Sequence, residues 1–194
     1  GAVKLPNTST NTFAFNFGLN YQIGNRSPHN FIKDGKVEKI EESIKFNLAL
    51  RFGVNENKIV GLGQYPFFIL VASADKRLTR SSSLVLGSEL FVSYFLKELI
   101  DFEAQTFIDR KPSDDIDFKR AGVYIGYELR INKLAPFVNL GYYFFNPFGF
   151  GEAFYNRAGI KRYFGKKEKI FGLLSVKAHA AKAEALEFGV GYRF

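Results

Sequence analysis

From Phe13 to Ile23 every second residue is large and apolar. Phe13, Phe15, Phe17, Leu19, Tyr21 and Ile23 alternate with Ala14, Asn16, Gly18, Asn20 and Gln22. Period two is the spacing of a strand, which sends successive side chains to opposite faces. The pattern returns along the chain. Ile44, Phe46, Leu48, Leu50, Phe52 and Val54 oppose Lys45, Asn47, Ala49, Arg51 and Gly53. Ala121, Val123, Ile125, Tyr127, Leu129 and Ile131 oppose Gly122, Tyr124, Gly126, Glu128 and Arg130. Val138, Leu140, Tyr142 and Phe144 oppose Phe137, Asn139, Gly141 and Tyr143, and Ile160 and Phe164 oppose Arg157, Gly159 and Lys161. The last segment sets Leu186, Phe188, Val190, Tyr192 and Phe194 against Glu187, Gly189, Gly191 and Arg193.

The second face decides the class. A sandwich packs its bulk inward and has little use for inward glycine. Here the second face is mostly Gly, Ala, Asn, Lys, Arg and Glu, with the large apolar residues on the first. A small membrane barrel has that sizing: lipid takes the bulky side chains, and a narrow interior takes small residues and paired charges. The predicted fold is therefore all-β, an antiparallel transmembrane β-barrel occupying 1–194 as a single domain. Tyr21, Tyr142, Phe144 and Tyr192 fall near strand ends, as interfacial girdles require. No stretch approaches the roughly 18 continuous apolar residues of a membrane helix.

Strands are expected near 11–23, 41–54, 84–97, 120–131, 134–145, 153–164, 170–180 and 184–194. The apolar stretch 59–72 alternates poorly and is interrupted by Pro66. Including it gives nine, an odd number that bacterial barrels avoid, so the expectation is eight, with either 58–72 or the N-terminal segment misread. Ten is the alternative, with 99–107 as an extra strand. Short links at Asn132-Lys133, Gly165-Lys166-Lys167 and near Lys182-Ala183 suit hairpin turns. Longer polar links fall at 24–40, 73–83, 98–117 and 146–152. The link 98–117 carries Asp101, Glu103, Asp109, Asp114, Asp115 and Asp117 without the spacing of a calcium loop, and reads as a solvated loop with no metal site.

Composition narrows the class further. The 194 residues include 23 Phe and 10 Tyr but no Cys, Met or Trp. Aromatic residues suit strands. The absence of cysteine excludes disulfides and thiolate metal sites, and argues against a lipoprotein, which begins with a lipidated Cys. The first residue is Gly1, which predicts a removed signal peptide or tag. The formal charge of +8 is spread along the chain without a dense basic run. It fits lipid or lipopolysaccharide phosphates and argues against nucleic acid. The final Phe194 closes an alternating strand and resembles the assembly signal of outer-membrane barrels.

Two histidines are available for chemistry. His29 lies in the polar stretch Arg26-Ser-Pro-His-Asn and reads as a loop residue. His179 precedes a run containing Glu184 and Glu187. A hairpin centred near Ala183 places His179 opposite Glu187; a centre half a residue earlier pairs it with Leu186. A His beside a carboxylate is the orienting half of a hydrolytic triad. The plainer reading is a polar pair inside the barrel, alongside Lys177 and Arg193. Parity favours the plainer reading, since His179, Lys177 and Glu187 share the face opposite Val176, Phe188 and Phe194.

Several segments carry a resemblance. They are Gly122-Val-Tyr-Ile-Gly-Tyr-Glu-Leu129, Leu140-Gly-Tyr-Tyr-Phe144, Tyr155-Asn-Arg-Ala-Gly-Ile-Lys161 and Lys177-Ala-His-Ala-Ala-Lys-Ala-Glu-Ala-Leu-Glu-Phe-Gly-Val-Gly-Tyr192. The span 122–194 resembles the lipid A 3-O-deacylases, an acyloxyacyl hydrolase-like family, especially divergent members from Bacteroidota. The resemblance implies an eight-stranded outer-membrane barrel that hydrolyses an ester-linked acyl chain of lipid A without a cofactor. It implies a triad of Ser, His and Glu, with the Ser two residues after the His. His179 matches the His, and Glu187 or Glu184 the Glu. The serine position is Ala181, which has no hydroxyl to acylate. Ser175 precedes the His and does not match. A His–Glu pair activating water directly is the remaining hydrolytic route.

Three functions follow as expectations. The first is a barrel of this family without its nucleophile, acting as a structural or accessory subunit of an envelope complex in contact with lipopolysaccharide. The second is an active lipid A deacylase or related esterase. The third is a soluble lipid-binding barrel, which requires the large apolar residues inside.

Overall fold

The computed structural model describes residues 42–56, 63–106, 116–180 and 182–194. Eight antiparallel strands follow one another round a closed barrel. They are β1 (Lys45–Glu56), β2 (Gln64–Arg77), β3 (Ser82–Ser93), β4 (Arg120–Leu129), β5 (Leu134–Phe145), β6 (Phe154–Phe164), β7 (Ile170–His179) and β8 (Lys182–Arg193). One helix, α1 (Tyr94–Thr106), continues directly from β3. β1 closes on β8, from Asn47 opposite Arg193 to Phe52 opposite Phe188. Closure pairs both edges of the sheet, and a membrane demands this because hydrocarbon offers no partner to a free strand edge.

The alternation places bulk outside. Phe46, Leu86 and Phe144 are 63%, 64% and 63% exposed, while Arg157 and Glu187 are 1% and 0% exposed. A soluble lipid-binding barrel would reverse this arrangement, so that reading is excluded. The interior is less small than expected. Phe67, Phe91, Phe137, Phe171, Tyr124, Tyr143, Tyr155 and Tyr163 all point inward and are buried. Inward glycines make room for them. A Cβ on Gly87 would lie 2.6 Å from the Tyr124 ring, and one on Gly141 would collide with the Tyr155 ring. The glycines that read as small filler thus form the floor under rings reaching across from neighbouring strands.

Several boundaries differ from expectation. The doubtful stretch 58–72 contributes a full strand, β2, which runs to Arg77, so the polar link 73–83 shrinks to a turn at 78–81. Pro66 is tolerated because β3 pairing begins only at Phe67, where a missing N–H leaves one side of the strand unaffected. Pro136 is placed likewise, beyond the Glu128–Phe137 pair that ends the β4–β5 ladder. The predicted strand 84–97 stops at Ser93, and the extra strand 99–107 of the ten-strand alternative is helical through Thr106. The barrel closes without the segment 11–23, which lies outside the described residues, as do His29 and Ala181.

The two ends are unlike. β2–β3, β4–β5 and β6–β7 join through short turns at one end. α1 and the link 146–153 belong to the other. Short turns mark the periplasmic end of such barrels and longer loops the outer end.

Candidate functional site

The lumen is filled by layers of ionic groups. In the middle layer Glu187 accepts from Ser175 Oγ at 2.9 Å and from Arg51 Nη1 at 3.2 Å, and Arg157 approaches it to 2.7 Å. Arg157 Nη1 also donates to Glu89 at 2.8 Å, and Tyr155 donates its hydroxyl to the same carboxylate at 2.7 Å. Two buried arginines and two buried glutamates therefore neutralise one another, as a buried charge requires.

The outer layer lies at the barrel mouth under the long loops. Glu184 sits among three basic groups: Arg120 Nη2 at 2.8 Å, Lys177 Nζ at 3.0 Å and His179 Nε2 at 2.7 Å. Lys177 also donates to Tyr143 Oη at 2.8 Å. The Arg120 guanidinium lies 4.9 Å from the centre of the Tyr143 ring and 5.5 Å from that of Phe91, a cation–π arrangement that gains from exclusion of water. Above this layer Phe95, Leu96 and Leu99 of α1 pack with Tyr65, Phe118, Phe148 and Phe150. The Phe95 and Phe150 rings meet edge to face at 5.2 Å.

A β-bulge creates the His179–Glu184 contact. Across the β7–β8 hairpin Lys177 faces Ala185, yet Ala178 faces Ala183 and His179 faces Lys182. Glu184 is the residue skipped. Such an insertion reverses the alternation of the strand beyond it and re-aims a side chain. Glu184 and Glu187 consequently both point inward although their parities differ. The hairpin is centred earlier than Ala183, and the register places Ser175, not His179, opposite Glu187. The expected His179–Glu187 pair is replaced by a His179–Glu184 pair.

The second ring nitrogen of His179 is also engaged. Nδ1 lies 3.0 Å from the backbone oxygen of Phe154. Gly151, in the left-handed region at φ 75°, brings the β5–β6 link against the imidazole. The His179 side chain is 10% exposed and faces the mouth layer, not lipid. Both partners of the ring are oxygens that accept. A carbonyl has no hydrogen to give, and Arg120 and Lys177 hold Glu184 as a carboxylate. Both bonds form together only when each ring nitrogen carries a hydrogen.

The family model described as acyloxyacyl hydrolase, C-terminal domain, matches residues 44–194. The chain belongs to this family. No curated protein matches it. The matched span begins just before β1 and covers the entire closed barrel, so this family barrel is an outer-membrane barrel built from the described strands.

Within this acyloxyacyl hydrolase-family barrel, the residues singled out from sequence separate into two layers. His179 and Glu184 share the mouth; Glu187 and Ser175 share the middle layer. Ser175 gives its hydrogen to Glu187 and is remote in the network from His179. Among the described residues no serine or threonine hydroxyl bonds His179. Arg120, Lys177 and Tyr143 complete the mouth layer; the alternation puts Lys177 and Tyr143 on the inward face, whereas Arg120 is not singled out by it. Parity extended one residue before Ala121 would find Arg120 too, since it occupies the inward position that starts β4. The convergence of Arg120 and Lys177 on one glutamate depends on the closed barrel.

Proposed function

We propose that this chain is a non-hydrolytic member of the acyloxyacyl hydrolase family, a structural or accessory subunit of an envelope complex that sits in the outer membrane and touches lipopolysaccharide. One observation carries the reading: both nitrogens of His179 are engaged, one by Glu184 and one by the Phe154 carbonyl. A general base needs a free lone pair within reach of the proton it removes. Ala181, two residues on, supplies no hydroxyl. On this reading the dyad is a latch that ties β7, β8 and the first residue of β6 together at the mouth. The chain reaches the membrane by export, with a cleaved leader.

The family match and the 2.7 Å dyad favour the second reading, an active lipid A deacylase or esterase using His179 and Glu184 or Glu187. The folded protein incubated with purified lipopolysaccharide separates the two. Mass spectrometry of the lipid A is expected to find no fatty acid released beyond a His179→Ala control. Release that disappears in His179→Ala would establish the second reading instead.

A further inference from the structure

The lumen charges are largely paired, so the excess positive charge of the chain must lie elsewhere. At the short-turn end Lys76, Arg77 and Arg80 flank the β2–β3 turn, where Arg77 is paired with Glu42; a second group gathers over the β4–β5 and β6–β7 turns. Lys133 in the β4–β5 turn, Arg162 near the end of β6, and Lys166, Lys167 and Lys169 in the β6–β7 turn are all exposed. The β4–β5 and β6–β7 turns are neighbours, since the backbone N–H of Tyr163 donates to the Lys133 carbonyl at 2.8 Å. The one acidic residue in the run 166–169 is turned away. Glu168, at φ 51°, gives its carboxylate to Arg130 at 2.5 Å on the lumen side. The arc is left cationic on its outer surface.

The arc also points toward lipid. Arg162 shares the outward face of β6 with Ile160 and Phe164, and its guanidinium lies 5.6 Å from the centre of the Phe164 ring. Lys169 Nζ lies 5.7 Å from the ring of Tyr192, a lipid-facing residue that meets Phe194 edge to face. Beside Arg162 the facing residue on β7 is Gly172. A Cβ there would meet the Phe164 ring at 3.4 Å, so the missing side chain leaves a shallow notch beside that ring. Cations flanked by interfacial aromatics above an apolar wall stand at the depth of lipid phosphates.

We propose that this arc binds the phosphate of an anionic phospholipid in the leaflet at the short-turn end, with Arg162 and Lys169 over the Gly172 notch and Lys166 and Lys167 adding to the local potential. The site needs neither hydrolysis nor a protein partner. It differs from any contact with lipopolysaccharide, which would occupy the opposite rim near Lys119 and Lys182.

The test uses the folded protein in a neutral detergent, titrated with phosphatidylglycerol, phosphatidylcholine or purified lipopolysaccharide and read by native mass spectrometry. Phosphatidylglycerol is expected to bind more tightly than phosphatidylcholine. A variant carrying Arg162→Gln, Lys166→Gln, Lys167→Gln and Lys169→Gln should lose about fivefold in phosphatidylglycerol affinity for each cation in contact. Its lipopolysaccharide binding should not change. Lys119→Gln with Lys182→Gln should leave phosphatidylglycerol binding unchanged. Folding of each variant is checked by the gel mobility of unheated samples. Should the fourfold variant not fold, the wild type still decides: its phosphatidylglycerol affinity must fall with added salt. Equal affinity for the two phospholipids, salt-insensitive binding, or a loss confined to the opposite-rim variant would overturn the proposal.

Discussion

His179 Nε2 and Glu184 Oε2 lie 2.7 Å apart although the register of their hairpin sets His179 opposite Lys182. The skipped residue on β8 makes the contact, and the same carboxylate holds Arg120 and Lys177. Glu184 is thus the hub of the mouth layer, and its charge is what the three surrounding groups share.

Glu184→Gln should therefore destabilise the barrel more than a lost hydrogen bond would. It leaves Arg120 and Lys177 buried without their counter-charge, at a cost of about 3–5 kcal/mol. Denaturant unfolding of the refolded protein measures it. A change below about 1 kcal/mol would mean that the mouth is hydrated and the cluster contributes little.

The middle layer makes a separate prediction about coupling. Arg157→Leu leaves Glu89 and Glu187 with Arg51 as their one shared cation. One buried carboxylate thereby loses its counter-charge, and the change should cost about 3–5 kcal/mol. Combining it with Glu89→Leu should cost less than the two single changes added, because the second removes a charge that the first left unpaired. A double-mutant cycle should give an interaction of about 0.5–3 kcal/mol; strict additivity would contradict the network.

The lipid-facing assignment predicts a gradient along the strands. Ile125 lies mid-strand opposite Leu140, and both are exposed on the outer wall. Ile125→Arg should cost about 2–4 kcal/mol in bilayers, whereas Phe46→Arg, at the rim, should cost about 0–1 kcal/mol. Unfolding from vesicles compares them. Equal costs at the two depths would place the membrane elsewhere on the barrel.

Much of this fold is legible as period two, and the failures have physical causes. β1, β4, β5, β6 and β8 alternate because one face meets lipid and the other a largely polar lumen. β2 does not, since Phe67, Ile69 and Val71 fill the lumen while Phe68 and Leu70 face outward, so apolar residues run unbroken on both sides. The strand-to-helix junction at Ser93–Tyr94 is equally silent, because the apolar sequence continues across it. His179 is recognisable as the residue to examine. Its partner is not, because counting outward from a turn assumes an unbroken ladder, and a bulge at Glu184 breaks it. Arg120 is separated from Glu184 by 64 residues, and only barrel closure brings them together.

Restoring a serine alone should not restore hydrolysis. Ala181→Ser supplies the hydroxyl that the family's triad uses, but His179 has no free nitrogen to accept its proton. Fatty-acid release from lipopolysaccharide is expected to stay at the His179→Ala background. A gain in Ala181→Ser would show that the Phe154 bond to Nδ1 opens readily.

The engagement of both imidazole nitrogens is the central claim, and ¹⁵N NMR of the histidine side chain measures it directly. His29→Gln leaves His179 as the single histidine, so the folded barrel in detergent gives one ring to assign. Nδ1 and Nε2 are each expected to carry a hydrogen in a hydrogen bond, with the Nε2 signal moving in Glu184→Gln. A ring with one bare nitrogen, unmoved by that substitution, would contradict it.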